Sequence, residues 1–389
     1  MFCNGEIFKT RPKEESSHNL PVFYLLISLG GVIGSLIANI IAPLIFKEYL
    51  ELFIVVFLLL IYSGYLLITD NNYQEKKLFI IKKIQLGLLT IILTMGLIIF
   101  SSFKAQNCQQ LLKTERNFYG VIRTCILEKT YKQKAILHGR IVHGSQLINS
   151  NNKLISNIPT TYYNNNSGIG LAYKFKEKKQ KINLGVIGLG VGTIAAYGRT
   201  DDNIDFYEID PKIKNIAEND FTYLKESKAN TKVIMGDGRL MLKKKISNLK
   251  PENKYDILVI DAFNGDSVPV HLLTKEAINI YTQNLKKDGL LLFHISNRYL
   301  DLDKPISNIT QQYYSKIYTP IKISSRALIK EIDFNSVYLI LSPSREFDEY
   351  IYKQKSKDIL VNEIKTKPDK AWTDDYNNLF SILKFRANK

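Results

Sequence analysis

Cysteine is scarce in this 389-residue sequence, and the three it has follow no pairing motif. Cys3, Cys108 and Cys125 are odd in number and show no C-x-x-C spacing, so neither a zinc site nor a disulfide framework is indicated. Reduced, structural thiols are the expectation. Acidic residues are also in deficit, 37 against 53 lysines and arginines, for a formal net charge of +16. The excess is lysine scattered along the chain. Without a basic stripe interleaved with aromatics, nucleic acid is not an expected partner, whereas anionic lipid headgroups are. No internal repeat is apparent, and an apolar fraction of 45% argues against disorder for most of the chain.

Charge is missing from the middle of three apolar runs, Val22 to Phe46, Leu52 to Ile68 and Ile84 to Phe103. Each is about as long as the ~20 residues that cross a hydrocarbon core as helix, so a multi-pass membrane region over 1–103 is expected. The first run is too long for a signal-peptide core and is followed by two more. Gly30 and Gly34 give it a small-x-x-x-small packing face, and Asn39 and Pro43 suit a packing kink. Lys9, Arg11, Lys13, Lys76, Lys77, Lys82 and Lys83 flank one side, against Lys47 and Lys104 on the other. By the positive-inside rule that places the C-terminal region outside the cytoplasm.

After Lys104 the apolar runs shorten. The stretches "FYGVIRTCILE" and "KQKAILHGRIVHGSQLI" alternate like strands, and 104–166 is expected to be a small antiparallel layer. From 167 to 389 the runs "INLGVIG", "NIDFYEID", "TKVIMGD", "YDILVID" and "GLLLFHIS" alternate with helix-length segments. Near-continuous apolar strands of this kind belong to an α/β fold with a Rossmann-like, doubly wound parallel sheet. Ligands of such sheets bind at the carboxyl ends of the strands.

The chemistry-bearing residues fall at those ends. Gly188, Gly190 and Gly192 lie in "GVIGLGVGTIAAY", read as strand, tight turn and helix, where missing side chains admit a ligand close to the backbone. Thr193 stands where a dinucleotide fingerprint would want its third glycine, so a mononucleoside of the S-adenosylmethionine type fits better. Glu208, twenty positions after Gly188, has the spacing of an acid that accepts from ribose hydroxyls. Asp237 in "GDGR" is placed for an adenine amino group or for a helix cap, and Asp261 and Asp266 sit in "DAFNGDS". His138 and His143, read as one strand, would point to opposite faces, which argues against a shared metal; either a substrate-facing or a structural role remains open. His294 is open between pocket and packing. So is "WTDDY", Trp372 to Tyr376, between closing over an amine and capping a helix.

Taken together, "FCNGEIFKTRP", "LHGRIVHGSQ", "PTTYY", the glycine turn, "YEIDP", "GDGR", "DAFNGDSVPVHLLT", "HISNRYLDL" and "WTDDYNNL" resemble the polyamine aminopropyltransferases, in particular membrane-fused spermidine synthase-like proteins. The resemblance implies transfer of an aminopropyl group from decarboxylated S-adenosylmethionine, as co-substrate, to a diamine such as putrescine, with no metal. It implies Asp261 as base, Tyr162 or Tyr163 against the polyamine, and Asp266 as a substitute for an acid that falls on Asn264; His143 is a further substrate-side candidate. One departure stands out: soluble members carry an acid in the glycine turn for the transferred ammonium, and here Val191 occupies that place. An S-adenosylmethionine-dependent methyltransferase and a non-catalytic nucleoside- or polyamine-binding membrane protein are the alternatives. The expected partners are a small-molecule diamine, membrane lipid and, in a homo-oligomer, a second copy of the chain. A cytoplasmic C-terminal domain is expected from the implied donor, against the cation count.

Overall fold

The computed structural model describes residues 2–12, 19–69, 87, 96, 108–128, 130–139, 141–262, 269–329, 332–364 and 369–384. It divides into two compact units, one of Met1–Ala105 with Thr114–Val121 and the other of Gln106–Lys113 with Ile122–Lys389.

Among its described residues the first unit includes the helices α1 (Phe2–Lys9), α2 (Asn19–Ile45) and α3 (Leu50–Thr69). Only α2 is, by length and composition, apolar enough among the described residues to cross a membrane, with a mean hydropathy of 2.2 and 6% of its apolar window buried. A soluble core helix with such a sequence would bury it. In α2 a single π-turn, Ile37–Ile41, precedes Pro43, whose missing N–H interrupts the helical ladder. Asn39 donates to the Ser35 carbonyl at 3.0 Å. The second expected span lies in α3, whose shorter apolar stretch is Leu50–Tyr65. The third, Ile84 to Phe103, lies outside the described residues apart from Gly87 and Gly96. Also in this unit, Arg116 is 8% exposed and reaches both oxygens of Glu51 at 2.6 and 2.8 Å and the Glu48 carbonyl at 2.7 Å. Its guanidinium lies over the Tyr49 ring at 4.5 Å.

A five-stranded sheet is formed by β1 (Gln110–Asn117), β2 (Gly120–Glu128), β3 (Lys132–His138), β4 (Ile141–Ile148) and β5 (Leu154–Ile155), in that order. Two sequence expectations change here. Cys108 and Cys125 form a disulfide, with Cα atoms 5.6 Å apart, rather than standing as free thiols. Seventeen residues separate them, and the β1–β2 connection brings them together where no motif announces it. His138 and His143 do not share a strand. Gly139, with φ +62°, turns the chain between β3 and β4, so the rings become neighbours with centroids 5.7 Å apart.

The second sheet has eight strands in the order β13-β11-β12-β10-β9-β6-β7-β8. The five expected strands are β6 (Asn183–Ile187), β7 (Asn203–Glu208), β8 (Asn230–Met235), β9 (Tyr255–Ile260) and β10 (Leu285–His294), all parallel. Three more, β11 (Thr319–Ser325), β12 (Ser336–Ser342) and β13 (Ile359–Glu363), extend it antiparallel. Strand order reverses about β6, the switch point of a Rossmann-like doubly wound sheet. Successive residues serve opposite faces. Leu184, Val186, Ile257 and Val259 pack in one apolar layer, with Phe347 and Ile351 of a covering helix; Ile187, Leu258 and Ile260 pack in the other. Helices α4 (Gly168–Lys176), α5 (Pro211–Asn219), α6 (Gly238–Ile246), α7 (Lys275–Asn284), α8 (Asp303–Ile309) and α9 (Arg345–Lys353) complete the layers.

Candidate active site

Three backbone hydrogen bonds bring the loops of interest level with one another at the carboxyl edge. Gly188 N–H donates to Tyr207 O, Asp261 N–H to Ile187 O and Gly236 N–H to Glu208 O, each at 2.8 Å, and Asn203 N–H to Ile182 O at 3.0 Å sets the far end of β6 and β7. The glycine turn leaves β6 with Gly188 at φ +103°, Gly190 at +55° and Gly192 at +80°. A Cβ on Gly188 would lie 2.2 Å from Asp261 O, and one on Gly190 2.7 Å from His143 O. Here the glycines serve close backbone packing as well as left-handed geometry. The helix expected after the turn is only a five-residue 3₁₀ segment, Thr193–Tyr197. Gly192 and Gly198 bracket it, leaving too few residues for an α-helix.

Glu208 ends β7, 8% exposed. Leu189 N–H donates to Oε2 at 3.0 Å and Asp210 N–H to Oε1 at 2.8 Å. Burial outweighs these bonds and pushes its carboxyl up to about 7. Asp237 is the N-cap of α6, accepting from Leu240 N–H at 2.9 Å, while its other oxygen lies 2.8 Å from His271 Nε2. The His271 contact leads in holding it below the usual carboxylate range. Beside it Arg239 grips Asp374 at 2.7 and 2.6 Å, with Thr274 donating to the same carboxylate at 2.8 Å. "WTDDY" is therefore tied down through Asp374 to this helix terminus, and Trp372 is 3% exposed in the core.

Asp261 follows β9 and is held at both oxygens. Tyr163 donates its hydroxyl to Oδ2 at 2.6 Å, and His294 Nδ1 lies 2.7 Å from Oδ1. Burial first, then the Asp261 charge, raises the Tyr163 phenol well above its ordinary value, so it stays a donor. Tyr197 donates to the Tyr163 carbonyl and Tyr162 to the Val142 carbonyl, which fixes the "TTYY" loop. The ring of Tyr162 lies 5.1 Å from that of His294. Among the described residues, His143 Nε2 and the Tyr338 hydroxyl are buried here without a hydrogen-bond partner. Burial, with His138 nearby, depresses His143 to about 4, and the Asp261 charge works against it. Tyr338, like Tyr163, is raised well above its ordinary value, by burial and then by Asp261. Unsatisfied donors and acceptors beside a carboxylate are what a bound amine could engage.

The structure thus assembles Asp261, Tyr162, Tyr163 and His143 with the glycine turn, and sets Glu208 and Asp237 on the adjoining strand ends. Asp266 lies outside the described residues. Among the described residues no group of three His, Cys, Asp or Glu could hold a metal ion. Val191, 1% exposed, faces Gly144, where a Cβ would come within 2.7 Å of its Cγ2. The sequence reading left out Tyr338 and Ser296, and left His294 undecided.

Over 110 residues, 28% of this chain and 35% of the relative, the sequence is 37% identical to the polyamine aminopropyltransferase of Vibrio vulnificus strain CMCP6. Over that stretch the chain is similar to a polyamine aminopropyltransferase. Over 164 residues, 41% of this chain and 28% of the relative, it is 28% identical to an N-terminal histidine N-methyltransferase of Emericella nidulans. The chain spans well under half the length of these curated relatives. No family model matches it. Among solved structures, a probable spermidine synthase from Corynebacterium glutamicum aligns with TM-score 0.45 and 15% identity over 65% of this chain and 90% of that one. The spermidine synthase of Thermotoga maritima aligns with TM-score 0.41 and 12% identity, over 69% and 82%.

Proposed function

We propose that this spermidine synthase-like protein is an aminopropyltransferase that uses decarboxylated S-adenosylmethionine as co-substrate and a diamine of the putrescine type as acceptor. The observation that carries the reading is the Asp261 carboxylate, held by Tyr163 and His294 beside the glycine turn and two unpartnered buried polar groups. An acceptor amine must be unprotonated to attack. Asp261 takes its proton as the nitrogen lone pair forms the new C–N bond, and the C–S bond breaks to leave a neutral thioether. Glu208 would accept from the ribose hydroxyls and the glycine turn would border the nucleoside. Alignment of donor and acceptor supplies much of the rate. Tyr162, His143 and Asp266 are assigned to the acceptor side, and Asp237 to the nucleoside through whatever capacity its cap and His271 leave.

The long apolar helices are proposed to anchor the protein in the membrane as a multi-pass segment, with the domain organisation 1–103, 104–166 and 167–389. Buried Val191 favours a second reading, methyl transfer from intact S-adenosylmethionine, because a donor without the aminopropyl ammonium needs no acid there. Mass spectrometry of products from the detergent-solubilised chain, given either donor and a panel of diamines, separates the two. Methylthioadenosine with an aminopropylated amine is the expected result. S-adenosylhomocysteine with a methylated acceptor would overturn it.

A further inference from the structure

Building on that reading, we propose that His294 is a positioning residue that holds Asp261 in its reactive orientation, and that Ser296 fixes the ring proton of His294 on Nδ1. His294 ends β10, and its side chain is 5% exposed. Its two ring nitrogens are both engaged, Nδ1 with Asp261 at 2.7 Å and Nε2 with Ser296 Oγ at 2.8 Å. Strand register places it opposite Tyr338 on β12, whose ring stacks on the imidazole at 4.8 Å and 19°. Tyr338 can come so close to α4 because Gly168 opens that helix, where a Cβ would meet Tyr338 Cβ at 2.4 Å. The plane of the imidazole is therefore set by packing and its rotation by hydrogen bonds.

For a neutral imidazole, counting donors fixes the tautomer. A carboxylate only accepts, so the nitrogen facing Asp261 carries the hydrogen. Nε2 is then bare and accepts from the Ser296 hydroxyl, whose oxygen meanwhile accepts the Val337 N–H at 2.8 Å. The result is a directed chain, Ser296 to His294 to Asp261, with Tyr163 arriving from the other side. With both nitrogens occupied, His294 has none to offer a substrate. It acts through Asp261, whose two oxygens each keep a lone pair for the incoming amine.

The test uses the full chain in detergent with His294→Asn, His294→Leu and Ser296→Ala. Asparagine offers an N–H donor near the position of Nδ1; leucine offers bulk alone. We expect His294→Leu to lower kcat about 100-fold with KM changed by less than about twofold, as for an interaction that matters in the transition state. His294→Asn should recover at least about a tenth of the lost rate. Unchanged kcat in the leucine variant, or an asparagine variant no better than leucine, overturns the proposal. A second readout needs no turnover. With only five histidines in the sequence, ¹⁵N-histidine spectra can be assigned by the signal that His294→Asn removes. An Nδ1–H tautomer in the wild type that mixes with the other in Ser296→Ala is expected; an Nε2–H tautomer in the wild type refutes it. Wild-type protein with the Nδ1–H tautomer but no aminopropyl transfer would sink the aminopropyl reading and leave the Asp261–His294 arrangement standing.

Discussion

Tyr163 and Asp261, ninety-eight positions apart, meet through a 2.6 Å hydrogen bond from phenol to carboxylate. One comes from a polar loop ahead of the parallel sheet and the other from the end of β9, so the contact forms only once that loop has docked at the carboxyl edge of the parallel sheet. Asp261→Asn keeps the shape and removes the proposed base. Turnover should fall by at least about 100-fold while methylthioadenosine binding, measured by calorimetry, stays within a few fold. Tyr163→Phe should cost less, about tenfold, because one of the two donors to Asp261 remains. Normal turnover in Asp261→Asn would dismiss it as the base.

Nucleoside binding should depend on Glu208 and on pH. Its carboxyl sits at about 7 because burial disfavours the charge. Below that pH the side chain is protonated and has less capacity to accept from ribose hydroxyls. Methylthioadenosine affinity is expected to weaken as pH falls from 8 to 6, and Glu208→Gln should bind weakly across the range without that slope. A flat profile in the wild type would remove Glu208 from the nucleoside site.

His143 predicts the acid limit of folding. Its folded value of about 4 lies below the ordinary 6.5, so between those values the unfolded chain binds more protons. Stability then rises with pH through this window and is lost as pH falls. The 2.5-unit gap corresponds to a limit of about 3 kcal/mol, of which about 2 kcal/mol is gone by pH 5. Melting temperature of the solubilised protein against pH should show this slope, and His143→Gln should flatten it.

How far the sequence reveals this site depends on which contacts are local. The five parallel strands and their loop residues are legible because each strand is an apolar run, four of them ending at a glycine or an acid and β10 at His294. Asp261 and the tyrosine pair are legible through motifs. Tyr338 is not, since its role comes from antiparallel pairing of β12 with β10, a register that nothing near residue 338 encodes. The His138–His143 hairpin is missed for a related reason: a single positive-φ glycine converts an apparent strand into two. Asp374 looks like a candidate for amine binding until the fold brings Arg239 to it from 135 positions away.

On the proposed membrane anchoring, the Cys108–Cys125 bond bears on which side of the bilayer the domain occupies. Disulfides persist in oxidising compartments and are rare in the cytosol. The flanking cations point the same way, while the implied donor argues for the cytoplasm. Alkylating thiols in intact cells before lysis and mapping peptides by mass should recover the two cysteines joined. That outcome places the domain on the oxidising face and obliges the donor to reach it; recovery of both as alkylated thiols would return the domain to the cytoplasm.

The ion pair of Arg116 with Glu51 has a practical corollary. A truncated protein that begins after the apolar helices would keep the arginine and discard the carboxylate that answers it. The same cut removes the Glu48 carbonyl and the Tyr49 ring that cover the cation, so Arg116 would exchange its protein partners for water. The convenient soluble fragment is therefore a different molecule at the hairpin carrying Arg116, and kinetic work belongs on the full chain.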